Sequence, residues 1–297
     1  MQMKKIGFLG LGVMGYHMAR NVARKMDVPV VGYDVSPKQL RLYQDGGGTA
    51  ASSPEEIYQT CDVILQMLPT HETIIHSVEE AIRLAAPGTI IVDLSSASPD
   101  IIIRLAEAAE AADMALLDAP VSGGNPMAEA GTLSIMAGGR REAFRQVQPV
   151  LACMGVPVYT GGSGSGDTTK LVNNMIGGAI LAAIAEGYAF AAKAGIDLQT
   201  TFDATRGGFA GGPLYDNKVP KLLRRDFVPG ARIAVHRKDI LNAKHYAHKL
   251  GVDLPLTDVV LHVMDWMNDN GYIDEDQAAL VRYYEAKMKV SVGGEQG

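Results

Sequence analysis

The stretch that decides the fold is Lys5-Ile-Gly-Phe-Leu-Gly10-Leu-Gly12-Val-Met-Gly15. A short apolar run predicts a strand, and the Gly-x-Gly-x-x-Gly pattern after it leads directly into a helical pattern. Gly10 allows a tight turn, Gly12 lets a phosphate approach the backbone, and Gly15 lets helix and strand pack closely. Because the first N–H groups of a helix are unpaired, they can face the phosphates. The predicted dinucleotide contacts are Gly10, Leu11, Gly12, Val13, Met14 and Gly15. A glycine-rich turn without a ligand is the alternative.

The second predicted strand ends at Asp34, 19 residues after Gly15. This is close to the ~20 residues expected for an acid that accepts the ribose hydroxyls of a dinucleotide. A carboxylate repels a 2′-phosphate, and the residues that follow, 35–38, bring no arginine beside it. The sequence therefore predicts NAD rather than NADP, although Lys38 would weaken the discrimination.

Up to Tyr159 the chain alternates short apolar runs with helical patterns, which is typical of a parallel sheet covered by helices on both faces. The predicted strands are Ile6–Leu9, Val30–Tyr33, Val63–Met67, Ile90–Asp93, Ala115–Asp118, Leu133–Ala137 and Val156–Tyr159. The glycine- and serine-rich residues 160–166 then mark a boundary or hinge.

After this boundary only helical patterns follow. The first runs from Asp167 to Ala194, about 40 Å at 1.5 Å per residue. The later ones are Leu198–Arg206, Lys218–Arg225, Ala234–Leu250, Thr257–Asn268 and Asp274–Met288. We predict an α/β fold with an N-terminal Rossmann-type dinucleotide-binding domain (residues 1–162) and an all-α C-terminal domain (residues 163–290). Residues from Val290 onward, with 291–297 outside both domains, are expected to be a loose tail.

Bulk properties limit the classes of partner. With 297 residues, a net charge of −6 and 20% charged residues, the chain has the composition of an ordinary globular protein and lacks the basic face that nucleic-acid binding needs. No apolar run reaches the ~18 residues of a membrane span, and the N-terminus lacks the layout of a signal peptide. Cys61 and Cys153 match no metal or redox spacing. We expect a cytoplasmic protein with two reduced thiols, no nucleic-acid partner and no membrane partner.

A nicotinamide dinucleotide supplies a hydride, so the protein must move a proton to or from the substrate oxygen. No metal constellation appears, and His236, His245, His248 and His262 lie in polar helical patterns typical of surface or interface residues. Lys170 is a better candidate than these histidines for the group that moves the proton. Asn174 lies four residues later and therefore on the same helical face. The alternative is a solvated lysine in the first turn of a helix.

A serine-glycine turn follows the fifth long strand. Ser122, Gly123 and Gly124 come after Leu117-Asp118, near the carboxyl edge where open α/β sheets bind ligands. A serine hydroxyl and free backbone N–H groups suit a carboxylate. An ordinary turn without a ligand is the alternative.

With these motifs the chain resembles the β-hydroxyacid dehydrogenase family from Ile6 to about Val292. The resemblance rests on four ordered motifs at residues 7–15, 118–133, 164–174 and 237–239. It implies that Lys170 is the general acid/base with Asn174 beside it. The other implied site residues are Ser122, Gly123 and Gly124 for the substrate carboxylate, Lys238 near nicotinamide and substrate, and Leu68, Pro69 and Ser96 for the cofactor. It also implies a homodimer or homotetramer.

Within the family, the second half is most similar to members that reduce tartronate semialdehyde (2-hydroxy-3-oxopropionate). The most informative stretch is Arg206–Gly211, a glycine-rich loop expected to line the substrate pocket; Phe209, Gly212 and Pro213 depart from the usual pattern. The rivals are oxidation of 3-hydroxyisobutyrate, a longer dicarboxylate or another β-hydroxy acid, a nucleotide-binding protein without turnover, and imine reduction. Lys170 disfavours the last two.

Overall fold

A computed structural model describes residues 3–294 of the chain. The chain packs as two compact units, Met1–Lys170 and Leu171–Gly297. The sequence placed the division after residue 162, ahead of the long helix. In the structure the division falls inside that helix, because its first turn is hydrogen-bonded to a strand of the sheet.

The N-terminal unit is built on one sheet. Its strands are β1 Ile6–Leu9, β2 Val30–Tyr33, β3 Thr49–Ala50, β4 Val63–Gln66, β5 Ile90–Asp93, β6 Ala115–Asp118, β7 Val121–Ser122, β8 Leu133–Gly138 and β9 Gly155–Gly161. The strand order is β3-β2-β1-β4-β5-β6-β8-β7, with β9 paired to β8. All seven predicted strands are present, and the two-residue strands β3 and β7 were not foreseen.

The expectation of a parallel sheet is wrong at one edge. From β3 to β6 the neighbouring strands are parallel, but β8 runs antiparallel to both β6 and β7. The helix that connects β7 to β8 has only seven residues, about 10 Å. It is too short to carry the chain back along the sheet, so the chain reverses instead. A periodicity pattern predicts the element type and leaves its direction open.

Helices cover both faces of this sheet. They are α1 Gly15–Lys25, α2 Pro37–Asp45, α3 Pro54–Thr60, α4 His71–Leu84, α5 Pro99–Ala111, α6 Gly124–Ala130 and α7 Arg141–Ala152. Successive residues of a strand point to opposite faces, so β5 sends Ile90 and Val92 into one core and Ile91 into the other. This explains why the central strands are apolar without alternation.

The long helix α8 spans Ser165–Lys193, so its beginning belongs to the N-terminal unit and the rest to the C-terminal unit. By length and composition it is apolar enough to cross a membrane, as no other helix of residues 3–294 is. The expectation from the sequence concerned an uninterrupted apolar run of ~18 residues. It stands for α8, because Glu186 lies within the apolar part of this helix. Buried core helices of soluble proteins satisfy the same criterion, and Leu181, Ala185 and Tyr188 of α8 are buried in the core of the C-terminal unit.

The C-terminal unit is helical within its described residues. Its further helices are α9 Leu198–Thr205, α10 Pro213–Leu223, α11 Ile233–Leu250, α12 Pro255–Asp269, a 3₁₀ turn Gln277–Leu280 and α13 Val281–Met288. The single helix predicted over Asp274–Met288 begins only at Gln277, as the 3₁₀ turn, and Asp276 caps that turn by accepting the backbone N–H of Ala278.

The expectation of a loose tail is wrong for residues 290–294. Val292 is fully buried, its N–H donates to Glu285 and its carbonyl accepts from Arg225. The N–H of Gly294 donates to the carbonyl of Leu223 at 3.0 Å. Composition suggested mobility because it does not show which backbone groups find partners. The remainder of the predicted tail, 295–297, lies outside the described residues.

Candidate functional site

The turn after β1 has the backbone shape that a pyrophosphate requires. Gly10 has a φ of +88°, and a Cβ added to it would lie 2.3 Å from the carbonyl oxygen of Met67, so a side chain is excluded. A Cβ on Gly15 would lie 1.9 Å from the carbonyl oxygen of Gly10. A Cβ on Gly12 would meet no atom within 4 Å. Gly10 and Gly15 therefore shape the turn, and Gly12 leaves room for a phosphate beside the start of α1.

Asp34 follows β2 and its carboxylate is bonded to the same turn. Oδ2 accepts the N–H of Leu11 at 2.7 Å, and Oδ1 accepts the N–H of Ser36 at 2.8 Å. These bonds hold the carboxylate at the carboxyl end of the sheet, where the ribose of a dinucleotide is bound in this type of domain. Val13 in the turn and Lys38 beyond Asp34 are both exposed. The residues present thus fit a dinucleotide.

The predicted cofactor contacts on the next strands lie at the same edge. Leu68 and Pro69 follow β4, and Ser96 follows β5. The N–H of Leu68 donates to Oγ of Ser95 at 2.8 Å, and the N–H of Ser95 donates to Asp93 at 3.2 Å. Ser95 is buried and joins the two strand ends, whereas the adjacent Ser96 is half-buried. The sequence did not single out Ser95, because its role depends on β4 and β5 being neighbours.

Ser122, Gly123 and Gly124 form an open turn between β7 and α6. The two glycines have φ values of +136° and +66° and are exposed, and Ser122 is half-buried. A Cβ on Gly123 would lie 2.5 Å from Sδ of Met127. The Met127 side chain thus packs against Gly123, and the exposed turn offers the Ser122 hydroxyl and the backbone of two glycines. Such a group of donors suits a small carboxylate.

Lys170 is half-buried in the second turn of α8. The start of this helix is bonded to the end of β6, because the N–H groups of Gly164 and Asp167 donate to the carboxylate of Asp118 at 2.9 Å each. Burial raises the pKa of the Asp118 carboxyl to about 6, and the backbone donors oppose that shift. Asp118 precedes Ser122 by four residues, so one strand end locates both the lysine-bearing helix and the serine-glycine turn.

In the C-terminal unit, two residues of α11 hold Asn174. Its side-chain Nδ2 donates to Oδ2 of Asp239 at 2.6 Å, and its backbone carbonyl lies 2.8 Å from Nε2 of His236. A carbonyl only accepts, so Nε2 of His236 carries a proton. His236 and Asp239 are 6% and 4% exposed. Lys238 lies between them in sequence, with its Nζ 3.4 Å from Oδ1 of Asp239.

The burial of His236 contradicts the prediction of a surface or interface histidine. A Cβ on Gly178 of α8 would lie 3.5 Å from Nε2 of His236, an ordinary van der Waals distance, so the buried ring packs beside this part of α8. His245, His248 and His262 are exposed, as expected. Asp239 is the last residue of the motif at 237–239, and the sequence predicts no role for it. Its position directly after Lys238 was the available signal, and its partner, 65 positions away, is a product of the fold.

The structure brings most predicted residues to one edge of the sheet. The glycine turn, Asp34, the ends of β4 and β5 and the Ser122 turn lie at strand ends of the N-terminal unit. Lys170 follows by three residues Asp167, whose N–H is bonded to the end of β6. Asn174 and Lys238 belong to the C-terminal unit, and Asn174 follows Lys170 by four residues in α8. No group of three or more histidine, cysteine, aspartate or glutamate side chains suited to a metal occurs among residues 3–294.

The fold and this edge define a nicotinamide-dinucleotide-binding protein with a helical second unit. Residues 5–162 match the family described as the NAD binding domain of 6-phosphogluconate dehydrogenase. Residues 164–284 match the family described as NAD-binding of NADP-dependent 3-hydroxyisobutyrate dehydrogenase. The chain belongs to the β-hydroxyacid dehydrogenase family, whose members are oxidoreductases acting on CH–OH groups.

Relatives support this assignment over nearly the whole chain. The chain is 34% identical to 2-hydroxy-3-oxopropionate reductase of Escherichia coli, over 95% of this chain and 97% of the relative. It is 32% identical to 2-(hydroxymethyl)glutarate dehydrogenase of Eubacterium barkeri, over 98% of both. A solved structure of Mycobacterium tuberculosis 3-hydroxyisobutyrate dehydrogenase with L-serine has a TM-score of 0.87 at 30% identity and covers 95% of this chain and 99% of that one.

Proposed function

We propose that this enzyme reduces tartronate semialdehyde (2-hydroxy-3-oxopropionate) to glycerate, reversibly, with NADH as the donor. The observation that carries the catalytic part is the bonding of the Lys170 helix to the strand end that leads into the Ser122 turn. An acid/base group and a carboxylate-binding turn then have a fixed separation. The semialdehyde is favoured by the second half of the sequence and by the relative with that activity in Escherichia coli.

In this proposal the protein residues bind the substrate and move one proton. The bound nicotinamide supplies the hydride to the aldehyde carbon. The substrate carboxylate binds the hydroxyl and N–H groups of the Ser122 turn. The Lys170 ammonium donates a proton to the carbonyl oxygen as charge develops there, and in oxidation the lysine amine removes it. Hydride and proton together give the alcohol, so the atoms and charges balance.

Asn174 and Lys238 complete the proposed set. Asp239 accepts a hydrogen bond from the side chain of Asn174, so that amide has a defined orientation. Lys238 has a half-exposed side chain near Asp239. Its ammonium adds a positive charge that suits an anionic substrate or a cofactor phosphate or amide oxygen. Asp239 is proposed as a positioning residue for both.

The test of the mechanism is Lys170→Ala. Positioned acid–base catalysis contributes about 10²–10⁴-fold, so kcat should fall by that factor. The affinity for NADH, measured by fluorescence titration, should remain within about twofold because the glycine turn is unchanged. Near-parental turnover in the variant would exclude Lys170 as the acid/base.

The substrate is tested with a panel monitored at 340 nm. Purified protein receives NADH with tartronate semialdehyde, methylmalonate semialdehyde or succinate semialdehyde. The proposal expects the highest kcat/KM with tartronate semialdehyde. A higher value for another semialdehyde would keep the enzyme class and discard the substrate. NADH binding without turnover of any of them would favour the alternative hypothesis, a nucleotide-binding protein without catalysis.

A second candidate substrate is a branched dicarboxylate. It is favoured by the match to 2-(hydroxymethyl)glutarate dehydrogenase over 98% of both chains. The panel therefore includes 2-(hydroxymethyl)glutarate with NAD in the oxidative direction. Oxidation of this compound with a higher kcat/KM than glycerate would replace the first proposal.

We also propose that the enzyme is cytoplasmic and a homodimer or homotetramer. Along α8 the apolar side chains of Val172, Ile176, Ile180 and Phe190 are exposed in the single chain. They lie 4, 4 and 10 positions apart and so follow one helical face. A second copy of this chain would remove this face from water.

A further inference from the structure

We propose that Asp118 is a positioning residue for Lys170, because its buried carboxylate caps the start of α8 and ties that helix to the strand leading into the Ser122 turn. The inference rests on the proposed role of Lys170. In the sequence Asp118 is the first residue of the motif at 118–133 and has no predicted role. It is fully buried at the end of β6.

The carboxylate of Asp118 replaces a cap that α8 lacks locally. Its Oδ1 accepts the N–H of Gly164 and its Oδ2 accepts the N–H of Asp167, each at 2.9 Å. Gly164 precedes the helix and has no side chain to act as a cap. The first N–H groups of a helix have no intrahelical partner, and leaving a buried one unpaired costs about 1–3 kcal/mol. A carboxylate at this position also interacts favourably with the helix dipole.

Two glycines allow the helix start to approach β6 this closely. A Cβ on Gly166 would lie 2.3 Å from the carbonyl oxygen of Met136 and 2.4 Å from that of Asp118. A Cβ on Gly138, which pairs with Asp118 across β6 and β8, would lie 2.7 Å from both Oδ1 of Asp118 and the backbone nitrogen of Gly166. The glycine at position 166 of the motif is therefore explained by this contact.

Asp167 bonds the same turn of α8 to the loop after β5. It is buried, and its Oδ1 accepts the N–H of Ala97 at 3.0 Å. Ala97 lies just after Ser96, in the loop that follows β5 and that the sequence assigned to the cofactor. The first turn of α8 is thus bonded to the end of β6 by Asp118 and to the loop after β5 by Asp167.

Lys170 follows this doubly bonded turn by three residues, less than one helical turn from Asp167. We call the three hydrogen bonds that Asp118 and Asp167 accept or donate here the seat of α8. The distance from the Lys170 ammonium to a substrate held by the Ser122 turn therefore depends on this seat. A displacement of about 1 Å can cost about 10²-fold in rate. Loosening the seat should lower kcat without changing the glycine turn.

The test is Asp118→Asn, which keeps the shape and one acceptor oxygen but places an NH₂ group against the backbone N–H of either Gly164 or Asp167. We expect kcat to fall tenfold or more, with KM and the Kd for NADH within about threefold. Hydrogen exchange measured by mass spectrometry should speed up in the peptide covering 164–170. Asp167→Asn provides a second variant if Asp118→Asn does not fold, with a smaller fall in kcat expected.

Two controls separate positioning from a general loss of stability. Ile102→Val shortens a buried side chain of α5. It should lower Tm about as much as Asp118→Asn does, while leaving kcat unchanged. Asp197→Asn changes a carboxylate that caps α9 through the N–H of Thr200 and should also leave kcat unchanged. A fall in kcat in Ile102→Val equal to that in Asp118→Asn would overturn the positioning role.

The outcome with Lys170→Ala keeps the two hypotheses apart. If Lys170→Ala is inactive while Asp118→Asn shows parental kcat and faster exchange at 164–170, the seat does not position the lysine and this inference is wrong. If Lys170→Ala is itself active, the proposed function fails. In that case, if Asp118→Asn shows faster hydrogen exchange at 164–170 and parental turnover, Asp118 serves only as a structural cap of α8.

Discussion

Four carboxylates near the site or in the core of this chain accept backbone N–H groups. Asp34 binds the glycine turn, Asp118 and Asp167 hold the start of α8, and Asp276 accepts N–H groups of Gly230 and Ala231. Charged groups that bind backbone donors in buried positions fix the conformation of a loop more strongly than surface ion pairs do. Two predictions follow from the chemistry of these side chains.

Asp118 gives stability a pH dependence with a defined sign. Its pKa is about 6 in the folded protein, raised mainly by burial, against 3.8 for the ordinary carboxyl. Between those values the folded state binds more protons than the unfolded state, so the contribution of Asp118 is fully favourable below pH ~3.8 and is lost as the pH rises through ~6. One such proton changes the free energy of unfolding by up to about 1.4 kcal/mol per pH unit.

Urea unfolding at several pH values between 4 and 7 tests this. As the pH rises through this range, the free energy of unfolding of the parent should fall relative to that of Asp118→Asn, because asparagine does not titrate. A pH-independent difference would show that Asp118 remains ionised throughout, with an ordinary or lower pKa.

Asp34 should determine the choice of dinucleotide. The parent enzyme is expected to show a kcat/KM for NADH at least tenfold above that for NADPH, because the carboxylate repels a 2′-phosphate. In Asp34→Ser the ratio of NADPH to NADH efficiency should rise at least tenfold. Lys38→Ala is the matched control and should lower only the use of NADPH. A parent enzyme with higher efficiency for NADPH would refute the assignment.

At the scale of elements, α8 shows how glycines in one helix differ. A Cβ on Gly166 would overlap two carbonyl oxygens, whereas a Cβ on Gly177 would meet no atom within 4 Å. We expect Gly177→Ala to raise the free energy of unfolding by about 0.5–1 kcal/mol, since alanine favours helix. Gly166→Ala should lower it by more than that. Equal effects in chemical denaturation would mean that the start of α8 is not pressed against β6 and β8.

The loop before α11 depends on a buried ion pair. Asp276 is fully buried, its Oδ1 accepts from Nζ of Lys218 at 2.8 Å, and Lys218 is 5% exposed. Asp276→Ala leaves that ammonium buried without its carboxylate, which costs about 3–5 kcal/mol. Arg232→Ala breaks an exposed pair with Asp274 and should cost less than about 1 kcal/mol. A loss below about 1 kcal/mol for Asp276→Ala would show that water reaches Lys218.

At the scale of the whole molecule, the prediction concerns assembly. Multi-angle light scattering of the parent should give the mass of two or four chains. Ile180→Glu should shift the mass towards one chain, because a charge would then lie on the exposed apolar face of α8. Leu42→Glu changes an exposed side chain of α2 and should leave the mass unaltered. A parent that runs as one 31.6 kDa chain would contradict the proposal.

Much of the architecture follows from local sequence. The strands β1, β2, β5 and β6 have the predicted limits, and the glycine turn has the expected backbone, because periodicity and glycine conformation are properties of short segments. The direction of β8, the burial of Val292 and the capping of the last helical segment by Asp276 could not be predicted in this way. They depend on hydrogen bonds and packing between residues distant in sequence.

The sequence by itself determined the class of fold, the dinucleotide turn, the acid at Asp34 and the candidate Lys170. Each of these is written in a contiguous motif or a fixed spacing. Only the tertiary structure decided that Asp118 caps α8, that His236 and Asp239 hold Asn174, and that Ser95 joins β4 to β5. The physical reason is that a buried polar group must find a hydrogen-bond partner, and the fold alone determines which distant residue supplies it.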